Sequence, residues 1–92
     1  MSAISEWLVV VDYLSDEWWV GTQTDPVVIY REGTRERLSA ELIRPPGEPA
    51  KWEITGPGNR SIRTGYTDPG LIASEIERRL LPKVRAYLAE NP

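Results

Sequence analysis

This chain contains no cysteine, no histidine and no phenylalanine. Without cysteine it has neither disulfides nor thiol chemistry. Without histidine it loses the commonest general base, and the two absences together remove the commonest metal ligands. No apolar run approaches membrane-spanning length, and Met1-Ser2 leads into nothing resembling a signal peptide. These gaps describe a chain expected to work in a reducing cytoplasm, with no cofactor, no metal and no membrane partner.

Positive charge is missing from the first third. Residues 1–30 hold Glu6, Asp12, Asp16, Glu17 and Asp25 and no basic side chain, whereas residues 31–65 hold seven basic against five acidic ones. The remainder balances, and the net charge is −3. An acidic front and a mildly basic middle suit a polar molecule, one able to associate head to tail, better than a binder of polyanions. Arginine outnumbers lysine nine to two, which together with the missing Phe suggests a GC-rich genome and hence a bacterial or phage origin. At 92 residues the chain is expected to form a single domain, 1–92, with a modest core in which four Trp and four Tyr replace Phe.

The clearest element present is Asp68 to Leu88. Asp68 can cap free amides, and Pro69 loses nothing at a first helical position. At 100° steps Ile72, Ala73, Ile76, Leu80, Val84, Tyr87 and Leu88 share one face, with Leu81 at its edge. Ser74, Glu75, Arg78, Arg79 and Arg85 fall opposite. Glu75 precedes Arg79 by four residues, a pairing worth about 0.2–0.5 kcal/mol. Pro82 interrupts the pattern from the polar side, so a kink is expected there that curves the helix around the core.

Two hairpins precede this helix. Val27–Glu32 and Arg35–Ile43 flank Gly33-Thr34, and a two-residue loop sets Ile29 opposite Leu38 and Val27 opposite Ala40, with Leu42 on the same face. Propensity alone would also allow a helix over Arg35–Arg44, but this register favours strands. Beyond the stiff Pro45–Pro49 connector, Ala50–Thr55 and Ser61–Gly65 flank Gly56-Pro57-Gly58-Asn59. A three-residue loop with left-handed Asn59 sets Ile62 opposite Ile54 and Thr64 opposite Trp52. Upstream, Glu6–Leu14 fits either a helix aligning Ile4, Trp7, Val11 and Leu14 or a strand alternating Trp7, Val9, Val11 and Tyr13. Its three valines and two aromatics favour the strand. Trp18–Thr24 reads as a second strand or an ordered loop.

The expected fold is therefore α+β: an antiparallel meander of five to six strands, with one long C-terminal helix, kinked near Pro82, across one face. Its expected core is Val9, Val11, Val27, Ile29, Leu38, Ala40, Leu42, Trp52, Ile54, Ile62, Ile72, Ile76, Leu80 and Val84.

Catalytic chemistry finds little support. Ser and Thr occur without a recognisable triad, and Asp12, Asp16 and Glu17 are the acids best placed for carboxylate chemistry. Gly56-Pro57-Gly58 lacks the Lys-Ser/Thr ending of a phosphate loop and joins two strands. No enzyme is expected. The leading expectation is a non-enzymatic protein-interaction module: an inhibitor- or immunity-type protein or a small structural subunit, with a protein partner or a second copy of itself. Trp18 and Trp19, beside Asp16 and Glu17, would supply the contact. Adjacent strand residues point to opposite faces, so one indole is expected to be exposed, in a composition typical of protein interfaces. The alternative is nucleic-acid binding by the outer sheet face, through Tyr30, Arg35, Arg37, Lys51 and Arg63, with Tyr30 across from Arg37 and Glu32 across from Arg35. A third reading is a small-molecule or lipid binder with a Trp-lined cavity between sheet and helix.

Overall fold

The structure, a computed structural model, describes residues 3–92. Met1-Ser2 lie outside the described residues. The architecture is α+β: five antiparallel strands in the order β1-β2-β3-β4-β5, a short N-terminal helix and a long C-terminal helical segment. The strands are β1 (Trp19–Thr24), β2 (Val27–Tyr30), β3 (Arg37–Ile43), β4 (Lys51–Thr55) and β5 (Ser61–Thr64).

Both hairpin registers follow from local patterning. Val27 pairs with Ala40 and Ile29 with Leu38, so apolar side chains of both strands converge on one face. The link between these strands is longer than two residues. The Arg31 N–H donates to Glu36 C=O, and Thr34 N–H closes a turn onto Arg31 C=O, with Gly33 at φ 78°. In the second hairpin Ile54 pairs with Ile62 and Trp52 with Thr64. Its three-residue loop places Asn59 at φ 57°, a left-handed conformation that Asn tolerates.

The C-terminal segment starts at the expected cap: Asp68 Oδ1 accepts from the Gly70 N–H at 2.9 Å, with Pro69 in the first turn. It runs as α2 (Pro69–Glu75), a π turn (Ile76–Leu80) and α3 (Leu81–Glu90). The π turn accounts for how Pro82 is accommodated. A proline ring crowds the carbonyl four residues earlier and offers no N–H. Here the turn just before it widens so that Leu81 N–H reaches back to Ile76 C=O, and Pro82 itself stays exposed.

The first expectation to fail is the N-terminal strand. Ala3–Asp12 is a helix, α1. Trp7, Val10 and Leu14 are buried at helical spacing, while Val9 is exposed. Val11 packs only partly against the core. Burial of one helical face against the rest of the molecule outweighs the strand preference of valine, as tertiary packing commonly does in a short helix. The meander consequently has five strands.

The two helical segments share one side of the sheet. α1 packs on β1 and α2, and Trp7 meets Trp52 edge-on, 5.4 Å between centroids at 88°. The core joins Trp7, Val10, Leu14 and Trp18 to Ile29, Leu38, Trp52, Ile54, Ile62, Ile72, Ile76, Leu80 and Val84. Each fully buried aliphatic among these contributes about 1.5–3 kcal/mol before entropy is counted. Leu42, expected inside, is exposed, because it lies on the β3 stretch beyond Ala40 at a margin the helices leave open. Among the described residues, the opposite face of the sheet carries no helix. Among the described residues no helix is long and apolar enough to cross a membrane.

Candidate interaction face

The loop after α1 is tied down before it reaches β1. Ser15 N–H donates to Glu77 Oε2 at 3.1 Å. Asp16 Oδ2 accepts from Arg85 at 3.0 Å, and Arg85 also grips both oxygens of Glu36 at 3.1 Å. Arg31 completes the cluster, 3.0 Å from Glu36 Oε1. Partial burial pushes the Glu36 carboxyl upward, but hydrogen bonds and attraction from Arg85 and Arg31 outweigh this and hold it below the ordinary carboxylate value. Arg85 is pushed further up by Glu36, against partial burial, with Asp16 adding to the rise. Four charged side chains from the loop before β1, the β2–β3 turn and α3 are thereby locked together.

From this anchored loop the chain extends, and its alternation separates the two indoles. Trp18 is buried in the core, whereas Trp19 is 46% exposed. Glu17 is exposed. Trp19 pairs with Tyr30, and Tyr30 pairs with Arg37, so these three side chains form a row across β1, β2 and β3 on the helix-free face. In the sequence Trp19 and the pair Tyr30/Arg37 are separate candidates, and the fold brings them together.

Beside this row the sheet is hollowed. Val20 pairs with Ile29 and Thr24 with Val27, so Gly21, Thr22 and Gln23 stand against Val28 alone. The strand bows outward as bulges do. The result is a shallow concavity of about 420 Å³, lined by Val20, Gly21, Thr22, Gln23, Val28, Tyr30 and Arg37. Val28 forms its apolar floor, buried yet outside the main core. A side chain at position 21 would already lie 3.8 Å from the Val28 Cβ. Sequence reasoning missed this feature, although a glycine inside a strand pattern is its usual signal.

The remaining basic candidates are committed elsewhere. Arg35 lies outside β3, in the turn that precedes it, and its guanidinium donates to the Leu88 and Asn91 carbonyls at 2.8 and 2.7 Å instead of adding to the open sheet face. The last carbonyls of a helix lack partners of their own, and a guanidinium fork satisfies two at once. Lys51 pairs with Glu48 at 3.0 Å and Arg63 with Glu53 at 2.9 Å. Among the described residues, no hydrogen bond or ion pair engages the Arg37 guanidinium. Tyr30 does lie across from Arg37, and elsewhere Arg60 stacks over the Tyr87 ring, 5.2 Å to the centroid.

A second concavity, about 400 Å³, opens at the sheet margin between Glu6 of α1, Thr24, Asp25, Leu42, Arg44 and Trp52. Its carboxylates form no cluster able to hold a metal ion among the described residues. No protein-family model, curated protein or solved structure matches this chain.

Proposed function

We propose that this chain is a non-enzymatic protein-interaction module, an inhibitor- or immunity-type protein or small structural subunit of bacterial or phage origin. It works in the cytoplasm, and its contact surface is the helix-free sheet face at Trp19, Tyr30 and Arg37. The observation that carries this reading is the 46% exposure of Trp19 in a cross-strand row with Tyr30 and Arg37, an arginine unpaired among the described residues. Large aromatics and arginine are the residues that dominate interface energetics, and an indole left 46% exposed keeps much of its area for a partner. The anchoring of Asp16 adds support, because it presents Trp19 from a held loop and lowers the ordering cost of binding.

A photo-crosslinking amino acid at position 19, introduced in the source organism, tests the reading. A discrete adduct is expected that disappears on adding Arg37→Glu and is absent when the crosslinker replaces Lys83 on α3. An adduct of twice the chain mass would identify a second copy as the partner. Equal adducts from positions 19 and 83, or none from 19, would overturn the reading.

A further inference from the structure

We infer that the open-face concavity receives an extended acidic segment of a partner protein, which sets an apolar side chain on Val28 and a carboxylate on Arg37. The inference rests on the interaction reading above and names the chemistry of its partner.

Charge selects the occupant. The chain carries −3 overall, yet among the described residues this concavity is lined by no acid and by one arginine. The concavity at the sheet margin has the opposite character, with Glu6, Asp25 and Glu41 against Arg44. The other cations expected on the open face, Lys51 and Arg63, are neutralised by Glu48 and Glu53, which leaves Arg37 as its unpaired positive group among the described residues. An arginine fork without a partner matches a carboxylate in two-point geometry, and like-charged segments are repelled.

Shape selects an extended chain. Trp19 and Arg37 occupy the same row two strands apart. At about 4.8 Å between strands the row spans about 10 Å, which an extended segment crosses in about three residues at 3.3 Å each. A segment lying along the row therefore presents an apolar or aromatic residue to Trp19, Tyr30 and Val28. It presents an acidic residue two positions away, on the same side of the extended segment, to Arg37. The bulge at Gly21–Gln23 supplies the depression for the apolar residue.

The test uses the full chain to select binders from a random peptide library of about twelve residues. Selected peptides are then titrated by NMR, following the Trp19 Nε1, Arg37 Nε and Val28 amide signals. Asp, Glu or a terminal carboxylate should be enriched two residues from an aliphatic or aromatic residue, and those three signals should move. Arg37→Gln should weaken binding at least about tenfold, as should raised salt, whereas Lys83→Gln should leave it unchanged. Binders without acidic enrichment, binders indifferent to Arg37→Gln, shifts located elsewhere, or no binders at all would overturn the inference. Crosslinking from position 19 would in each of those cases still decide the broader reading on its own.

Discussion

The two faces of the sheet use tryptophan in opposite ways. On the covered face Trp7, Trp18 and Trp52 fill space between strands and helices, and the buried Nε1 atoms of Trp7 and Trp18 find no acceptor among the described residues. On the open face Trp19 lies in a row with Tyr30 and Arg37, half in water. Burial of an unpartnered N–H is tolerated where ring area more than compensates, which marks the first set as packing. Exposure of an indole brings no such gain in the free protein. The contrast separates side chains that hold the fold from those free to meet something else.

The sharpest way to break this contrast is to truncate one indole on each side. Trp7→Ala removes a fully buried ring and its contact with Trp52, and should lower stability by about 3–5 kcal/mol. Trp19→Ala should change it by no more than about 0.5 kcal/mol. Urea unfolding of both variants checks the pair, and comparable losses would dissolve the distinction between the faces.

A smaller effect is expected at the seam between the second hairpin and α3. Gly58 sits at φ 71°, and a Cβ there would lie 2.5 Å from the Tyr87 ring. Gly58→Ala should therefore cost about 1–3 kcal/mol, from strained backbone together with displacement of the ring that Arg60 stacks upon. Thermal unfolding would register the loss, whereas a Gly65→Ala control meets open space.

The smallest effect concerns the loop that carries Trp19. Glu36 is held below its ordinary value by Arg85 and Arg31 despite partial burial. A depressed carboxyl adds stability that is fully present above its unfolded value of about 4.3 and is lost as pH falls through the lower folded value. Stability of the wild type should thus rise with pH across the acid range and level off above it. Glu36→Gln should show a shallower acid limb in midpoint measurements between about pH 3 and 6. An unchanged slope would mean that the cluster contributes nothing to holding the loop.

Much of the fold is legible in the sequence because its signals are local. The glycine-bearing turns around Gly33 and at Gly56–Asn59 lie between apolar residues of period two, and that period leaves one register in which both inner faces agree, whatever the length of the first turn. Likewise Asp68-Pro69 and the spacing from Ile72 to Val84 announce a helix without reference to anything outside it. Residues 6–14 carry no such local signal, since they are apolar on nearly every side in either conformation. The candidate site is legible only in pieces. Trp19 stands out for being next to Trp18, and Tyr30 and Arg37 for being opposite one another, but nothing in the sequence links the two observations.

What the sequence by itself determined, then, is the set of contacts made within a hairpin or along a helix, because periodicity and turn chemistry act over a few residues. What only the tertiary structure decided is how distant segments meet. It made residues 3–12 a helix by offering a face on which Trp7, Val10 and Leu14 could be buried. It drew Arg35 to the end of α3 and Arg85 to Asp16, 69 residues away. It also chose which of two adjacent indoles turned inward. Strand alternation requires the pair to divide between the faces, but only the placement of both helical segments on one side left Trp19 the one in water.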